Sequence, residues 1–133
     1  MTTARTDDAL RVLVADDEPD VRLLLRVGLT HHNIAVVGEA ANGIEVLEVC
    51  DAQPVEAIVL DLLMPKMNGF EVIPPLQRDH PSIGIVAYTA VAGDFVRREM
   101  ARLEIPLLLK SGDAAPLADA LHLASATARA AAS

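Results

Sequence analysis

The chain has 133 residues, of which 52% are hydrophobic, with 2 Phe, 1 Tyr and no Trp. That length supports one domain around one aliphatic core, and the shortage of aromatic rings disfavours flavin pockets and base-stacking platforms. A formal net charge of -8 and a lone Cys argue against direct nucleic-acid binding, a disulfide framework or a multi-cysteine metal site.

Residues 1–9 read as a flexible amino terminus without the basic-then-apolar plan of a signal peptide. No run approaches the length of a membrane span, so the expectation is a cytoplasmic protein with no membrane contact. Arg11-Val12-Leu13-Val14-Ala15 predicts a strand buried on both faces, ending at Asp16-Asp17-Glu18. Pro19 suits a helix start, and Val21, Leu24, Leu25 and Leu29 follow at helical spacing. A second strand fits Ile34-Ala35-Val36-Val37-Gly38, and Asn42 can cap a helix carrying Val46, Leu47 and Cys50. Ala57-Ile58-Val59-Leu60 then runs into Asp61.

A third helix is expected after Asn68-Gly69, broken or kinked near Pro74-Pro75 because an interior proline removes a hydrogen bond and clashes with the preceding turn. A strand at residues 83–88, a helix from Asp94 with Val96, Met100 and Leu103 on one face, a strand at residues 105–109 and a helix lined by Leu117, Leu121, Ala124 and Ala128 complete the pattern. Five strand-helix pairs with short connections predict an α/β fold with a doubly wound parallel sheet. Residues 10–128 form the domain in this reading, and 129–133 an Ala-rich tail or the start of a linker.

In such folds the functional groups gather at the carboxyl ends of the strands. Those ends carry Asp16 and Asp17, Asp61, Thr89 and Lys110. Clustered carboxylates repel one another unless a cation lies among them. Oxygen donors of this kind suit Mg²⁺, and a carboxylate can attack a phosphoryl group when metal and ammonium offset the incoming charge. Asp61 is the candidate nucleophile, with Thr89 donating to one phosphoryl oxygen and Lys110 pairing with another.

The segments "VLVADDE", "VLDLLMPKMNG", "AYTA" and "LLLK", each closing a successive predicted strand, resemble the receiver domains of two-component response regulators. The resemblance spans nearly the whole chain and implies the flavodoxin-like strand order 2-1-3-4-5. It also implies that Asp61 accepts a phosphoryl group from a sensor histidine kinase or a phosphotransfer protein. Mg²⁺ would be held by Asp16, Asp17, Asp61 and the backbone carbonyl of Leu63, with Thr89 as the switch hydroxyl and Lys110 as the phosphate-pairing cation. The output surface would be the face of the fourth helix, fifth strand and fifth helix, engaging an output protein or domain, with at most a weak or phosphorylation-dependent dimer. Receivers usually carry an aromatic residue three positions before the lysine, where this chain has Leu107. The positions that tune water attack on the acyl phosphate are Leu63 and Val91; neither side chain can orient water, which implies slow self-dephosphorylation.

Each residue alone has a plainer explanation. Asp16-Asp17-Glu18 suits a helix amino terminus, Thr89 a satisfied strand-end hydroxyl, and Lys110 surface charge. Adjacent His31 and His32 do not face one another on a helix and so make no metal site, and Cys50 reads as a small core residue. The stripe Arg97, Arg98 and Arg102 reads as a solvated helix face. An aspartyl-phosphate phosphatase normally places a second Asp two residues after the nucleophile, where this chain has Leu63. An interaction module that keeps the fold without taking phosphate is the other competitor. A flavodoxin-like electron carrier lacks its phosphate loop here. The expectation is therefore a signalling domain rather than an enzyme, either standing alone or belonging to a longer regulator.

Overall fold

In the computed structural model, which describes residues 8–90 and 92–133, five strands alternate with five helices. The strands are β1 (Leu10–Ala15), β2 (Ile34–Ala40), β3 (Ala57–Leu60), β4 (Gly84–Thr89) and β5 (Leu107–Leu109). The helices are α1 (Pro19–Thr30), α2 (Gly43–Ala52), α3 (Gly69–Asp79), α4 (Asp94–Arg102) and α5 (Ala114–Ala132). All strand pairs are parallel and their order is β2-β1-β3-β4-β5. This is the flavodoxin-like doubly wound sheet.

The continuous apolar runs follow from burial on both faces. Leu13, Ala15, Ile58, Leu60, Ile85 and Ala87 turn to one side and pack with Val46, Val72, Leu76 and Met100 of α2, α3 and α4. Val12, Val14, Val59, Val86 and Tyr88 turn to the other and pack with Leu25 and Leu29 of α1 and Leu117 and Leu121 of α5. Asn42 caps α2 by accepting from the Glu45 N–H, as its position predicts.

Of the break or kink expected near Pro74-Pro75, the break is absent: α3 runs without interruption from Gly69 to Asp79. Asn68 and Glu71 close a reciprocal capping box at its start, with bonds of 2.9 and 3.0 Å, so the helix does not start late. Pro74 is exposed and Pro75 half-buried, so neither ring is forced into the core. Val72, Ile73 and Leu76 are fully buried on the opposite side. Burial of three such side chains contributes about 1.5–3 kcal/mol each, comparable to about 3 kcal/mol per interior proline, and the capping box adds to it. Packing therefore overrides local propensity.

Two smaller differences occur. The fifth strand is shorter than predicted, because Glu104 adopts a positive φ of 59° and the Ile105 N–H turns back to the Met100 carbonyl. At the carboxyl end α5 continues to Ala132, so residues 129–132 are helical. None of the helices among the described residues is long and apolar enough to cross a membrane.

Candidate functional site

One backbone hydrogen bond beyond the regular ladder pins each of the polar residues that end the central strands. The Asp16 N–H donates to the Ala40 carbonyl at 2.9 Å, the Asp61 N–H to Ala15 at 3.0 Å, and the Lys110 N–H to Thr89 at 2.8 Å. The sheet thus carries Asp16, Asp61, Thr89 and Lys110 to one edge. Asp16, Asp61 and Thr89 are buried, whereas Asp17 is exposed.

The side chains then converge. Lys110 Nζ lies 2.6 Å from Asp16 Oδ2, 3.4 Å from Asp61 Oδ2 and 4.0 Å from Glu18 Oε1. Asp16 Oδ1 accepts the Glu18 N–H at 2.9 Å, and Arg22 of α1 donates to the Asp16 carbonyl at 2.6 Å. Asp61 Oδ1 accepts the Leu63 N–H at 3.2 Å. Burial pushes the Asp61 carboxyl above its usual range and the Asp16 charge adds to this; the Leu63 N–H and Lys110 oppose the shift without cancelling it. Burial works against the Lys110 charge, but the Asp16 and Asp61 carboxylates outweigh it and raise its pKa.

The loop after Asp61 explains the Asn-Gly pair. The Gly69 N–H donates to the Leu62 carbonyl at 3.2 Å, and a Cβ on Gly69 would stand 2.7 Å from the Asp61 carbonyl oxygen and 2.8 Å from Leu62 Cα. Only glycine permits α3 to begin so close to the Asp61 backbone. The turn itself passes through Lys66 at a φ of 66°, and the Met67 carbonyl accepts the Gly43 N–H at the start of α2.

Asp16, Asp17 and Asp61 each offer a carboxylate oxygen, all within 4.8 Å of one another. A set of hard oxygen donors beside a single ammonium fits a hard divalent cation such as Mg²⁺. Leu63 is 65% exposed at the rim, its side chain pointing away from the core. Leu107 is half-buried, pairs with Ala87 across the β4–β5 ladder and packs on the side of α2, α3 and α4. Val91 lies outside the described residues. Three participants were not singled out from the sequence: Arg22; Glu18, read only with Asp16 and Asp17 as a helix start; and Tyr88, present only as a member of the AYTA segment.

The family whose sequence pattern matches is the response regulator receiver domain, over residues 12–122. A protein-glutamate methylesterase/protein-glutamine glutaminase of Myxococcus xanthus is 34% identical over 98 residues, covering 73% of this chain and 28% of that protein. The chemotaxis protein CheY of Thermotoga maritima is 32% identical over 81 residues, covering 61% of this chain and 68% of that one. The isolated REC domain of RcsB from Salmonella enterica serovar Typhimurium, solved with the phosphomimetic BeF3-, superposes with a TM-score of 0.77 at 26% identity, covering 86% of each chain. The receiver domain of the putative response regulator NarL from Mycobacterium tuberculosis shares the fold, with a TM-score of 0.81 at 24% identity over 90% of this chain and 98% of that one. Against the first curated relatives the chain spans 28% and 32% of their length.

Proposed function

We propose that this chain, which belongs to the response regulator receiver domain family, accepts a phosphoryl group on Asp61 and thereby switches a protein-interaction surface in a two-component system. A receiver is a signalling domain. The observation that carries it is the environment of the Asp61 carboxylate: buried, with one oxygen held by the Leu63 N–H and the other facing Lys110. A fixed, partly desolvated carboxylate beside a cation supports reading Asp61 as a nucleophile.

In this reading an Asp61 oxygen bonds to phosphorus while the bond from phosphorus to a donor imidazole nitrogen breaks. The electron pair stays on the imidazole, which then takes a proton. The donor is a phosphohistidine on a sensor histidine kinase or phosphotransfer protein. Lys110 leaves its carboxylate contacts to pair with one phosphoryl oxygen, and the Thr89 hydroxyl, one ladder bond away, donates to another. Asp16, Asp17, Asp61 and the Leu63 carbonyl would hold Mg²⁺, which when bound supplies positive charge against the phosphoryl oxygens. Movement at Thr89 reaches the α4–β5–α5 face through Leu107, which repacks as an aliphatic side chain and has no ring to rotate. Neither Leu63 nor Val91 can orient water, so the acyl phosphate is long-lived. The domain occupies residues 10–132, its last helix running past the boundary expected at 128, and works in the cytoplasm.

The test is intact mass after incubation with Mg²⁺ and acetyl phosphate, for wild type and Asp61→Asn. The expected result is one added phosphoryl group that requires Mg²⁺ and is lost in the variant. A folded wild-type chain that gains no phosphoryl group would instead make it a constitutive interaction module.

A further inference from the structure

Tyr88 is the only tyrosine in the chain. It stands beside Thr89 in β4 but faces the opposite side of the sheet, where it is buried against α1 and α5. Burial of a phenol at the edge of a core is costly unless its oxygen finds a partner. Here the oxygen accepts two backbone N–H groups, from Ser111 and from Gly112, both at 3.4 Å. Those two residues directly follow Lys110.

This contact has a consequence for the lysine. The backbone leaves β5 at Leu109 and passes Gly112 at a φ of 83° before α5 begins at Ala114. On the sheet side, Lys110 is held by its N–H bond to the Thr89 carbonyl at 2.8 Å. Past Lys110, the next two amides converge on the Tyr88 oxygen, which has the lone pairs to accept both. Val21, Leu24, Tyr88, Lys110 and Gly112 also line a cavity of about 130 Å³, so the packing around the lysine stem leaves room for it to shift. With open space beside it, the loop relies on hydrogen bonds for its position.

We infer that Tyr88 is a positioning residue: its hydroxyl anchors the Ser111-Gly112 turn and so aims the Lys110 ammonium at the Asp16–Asp61 pair. The inference rests on the proposed role of Asp61 and Lys110. It assigns to the face of the sheet opposite Leu107 a part in the same chemistry. The ring fills the α1–α5 core; the oxygen sets the lysine.

Tyr88→Phe keeps the ring and removes only the acceptor. Amide exchange at Ser111 and Gly112 is expected to quicken by about threefold to tenfold, the range for one net hydrogen bond. Phosphorylation by acetyl phosphate at saturating Mg²⁺ is expected to slow by a similar factor, with Mg²⁺ affinity within about twofold of wild type because no carboxylate is touched. In a Lys110→Ala background the same substitution is expected to add little, since it acts through the lysine. Equal phosphorylation rates for wild type and Tyr88→Phe, or an undiminished effect without Lys110, would overturn the assignment. A wild type that takes no phosphoryl group would sink the Asp61 reading itself, and with it the role given to Tyr88.

Discussion

Lys110 holds its ammonium 2.6 Å from Asp16 and 3.4 Å from Asp61, so it is paired more closely with Asp16 than with the proposed acceptor Asp61. The lysine offsets repulsion between two buried carboxylates. Replacing it by Met leaves them uncompensated, and the expected cost is about 2 kcal/mol in the presence of a chelator. Urea denaturation with and without Mg²⁺ checks this: the deficit should shrink when Mg²⁺ is added. A deficit that is the same in both buffers would mean that the lysine acts only as packing.

The Asp61 carboxyl is raised by burial above its ordinary value of 3.8. Folded protein therefore holds that proton at pH values where unfolded chain has lost it, so stability falls as pH rises from 3.8 through the raised value, and the penalty is fully present above it. Asp61→Asn removes the charge. In chelator it is expected to melt higher than wild type at neutral pH, with the gap closing towards acid. A wild type that melts at or above the variant at neutral pH would refute this account.

Cys50 is buried on α2, and burial followed by the nearby Asp51 charge pushes its thiol up to about 11. The thiolate is the reactive form. Native protein should leave a disulfide reagent unreacted at mildly alkaline pH and release one equivalent only after unfolding. Prompt reaction of the folded chain would show that the helix opens locally.

Gly69→Ala places a methyl group against the Asp61 carbonyl and Leu62 Cα, where the gaps are 2.7 and 2.8 Å. Backbone on both sides must move, so a loss of about 2 kcal/mol or more is expected from chemical denaturation. The acetyl phosphate reaction should slow with it. Gly93→Ala, with nothing near its added Cβ, meets no such clash and is expected to cost less, about 1 kcal/mol or under for a changed N-cap.

Pro74 is exposed within an unbroken helix. Pro74→Ala restores an N–H to the ladder and removes the clash, while loosening the unfolded chain. A net gain of about 1–2 kcal/mol is expected in thermal or urea unfolding. A loss would mean that the proline ring contributes contacts that outweigh its backbone cost.

Much of the fold and candidate site was legible because the governing signals are local. Runs such as Ala57-Ile58-Val59-Leu60 are too short and too apolar for a solvated face, and each ends at a polar or charged residue. Parallel topology then carries those ends to one edge, which is why Asp16, Asp61, Thr89 and Lys110 could be grouped before any distance was known. Asn42 announced its helix as a cap and Asn68-Gly69 marked the start of the next, and the structure closes both ends with bonds to the N–H of Glu45 and Glu71.

What remained depends on contacts between segments distant in sequence. Local propensity breaks a helix at Pro74-Pro75, but Val72, Ile73 and Leu76 bury on the sheet and hold it intact. Residues 105–106 are apolar enough for a strand, yet after the turn at Glu104 the strand begins only at Leu107, with Pro106 contributing its carbonyl to the Ala87 N–H. Tyr88 lies in the AYTA segment without a role of its own there, and its bonds to Ser111 and Gly112 exist because β4 and β5 lie side by side. Sequence by itself determined which residues must be buried and which must stand at the strand ends, since hydrophobic burial is written in composition and period. Tertiary structure alone decided which charge meets which and which turn is anchored, since those energies arise only when remote parts of the chain come within hydrogen-bonding distance.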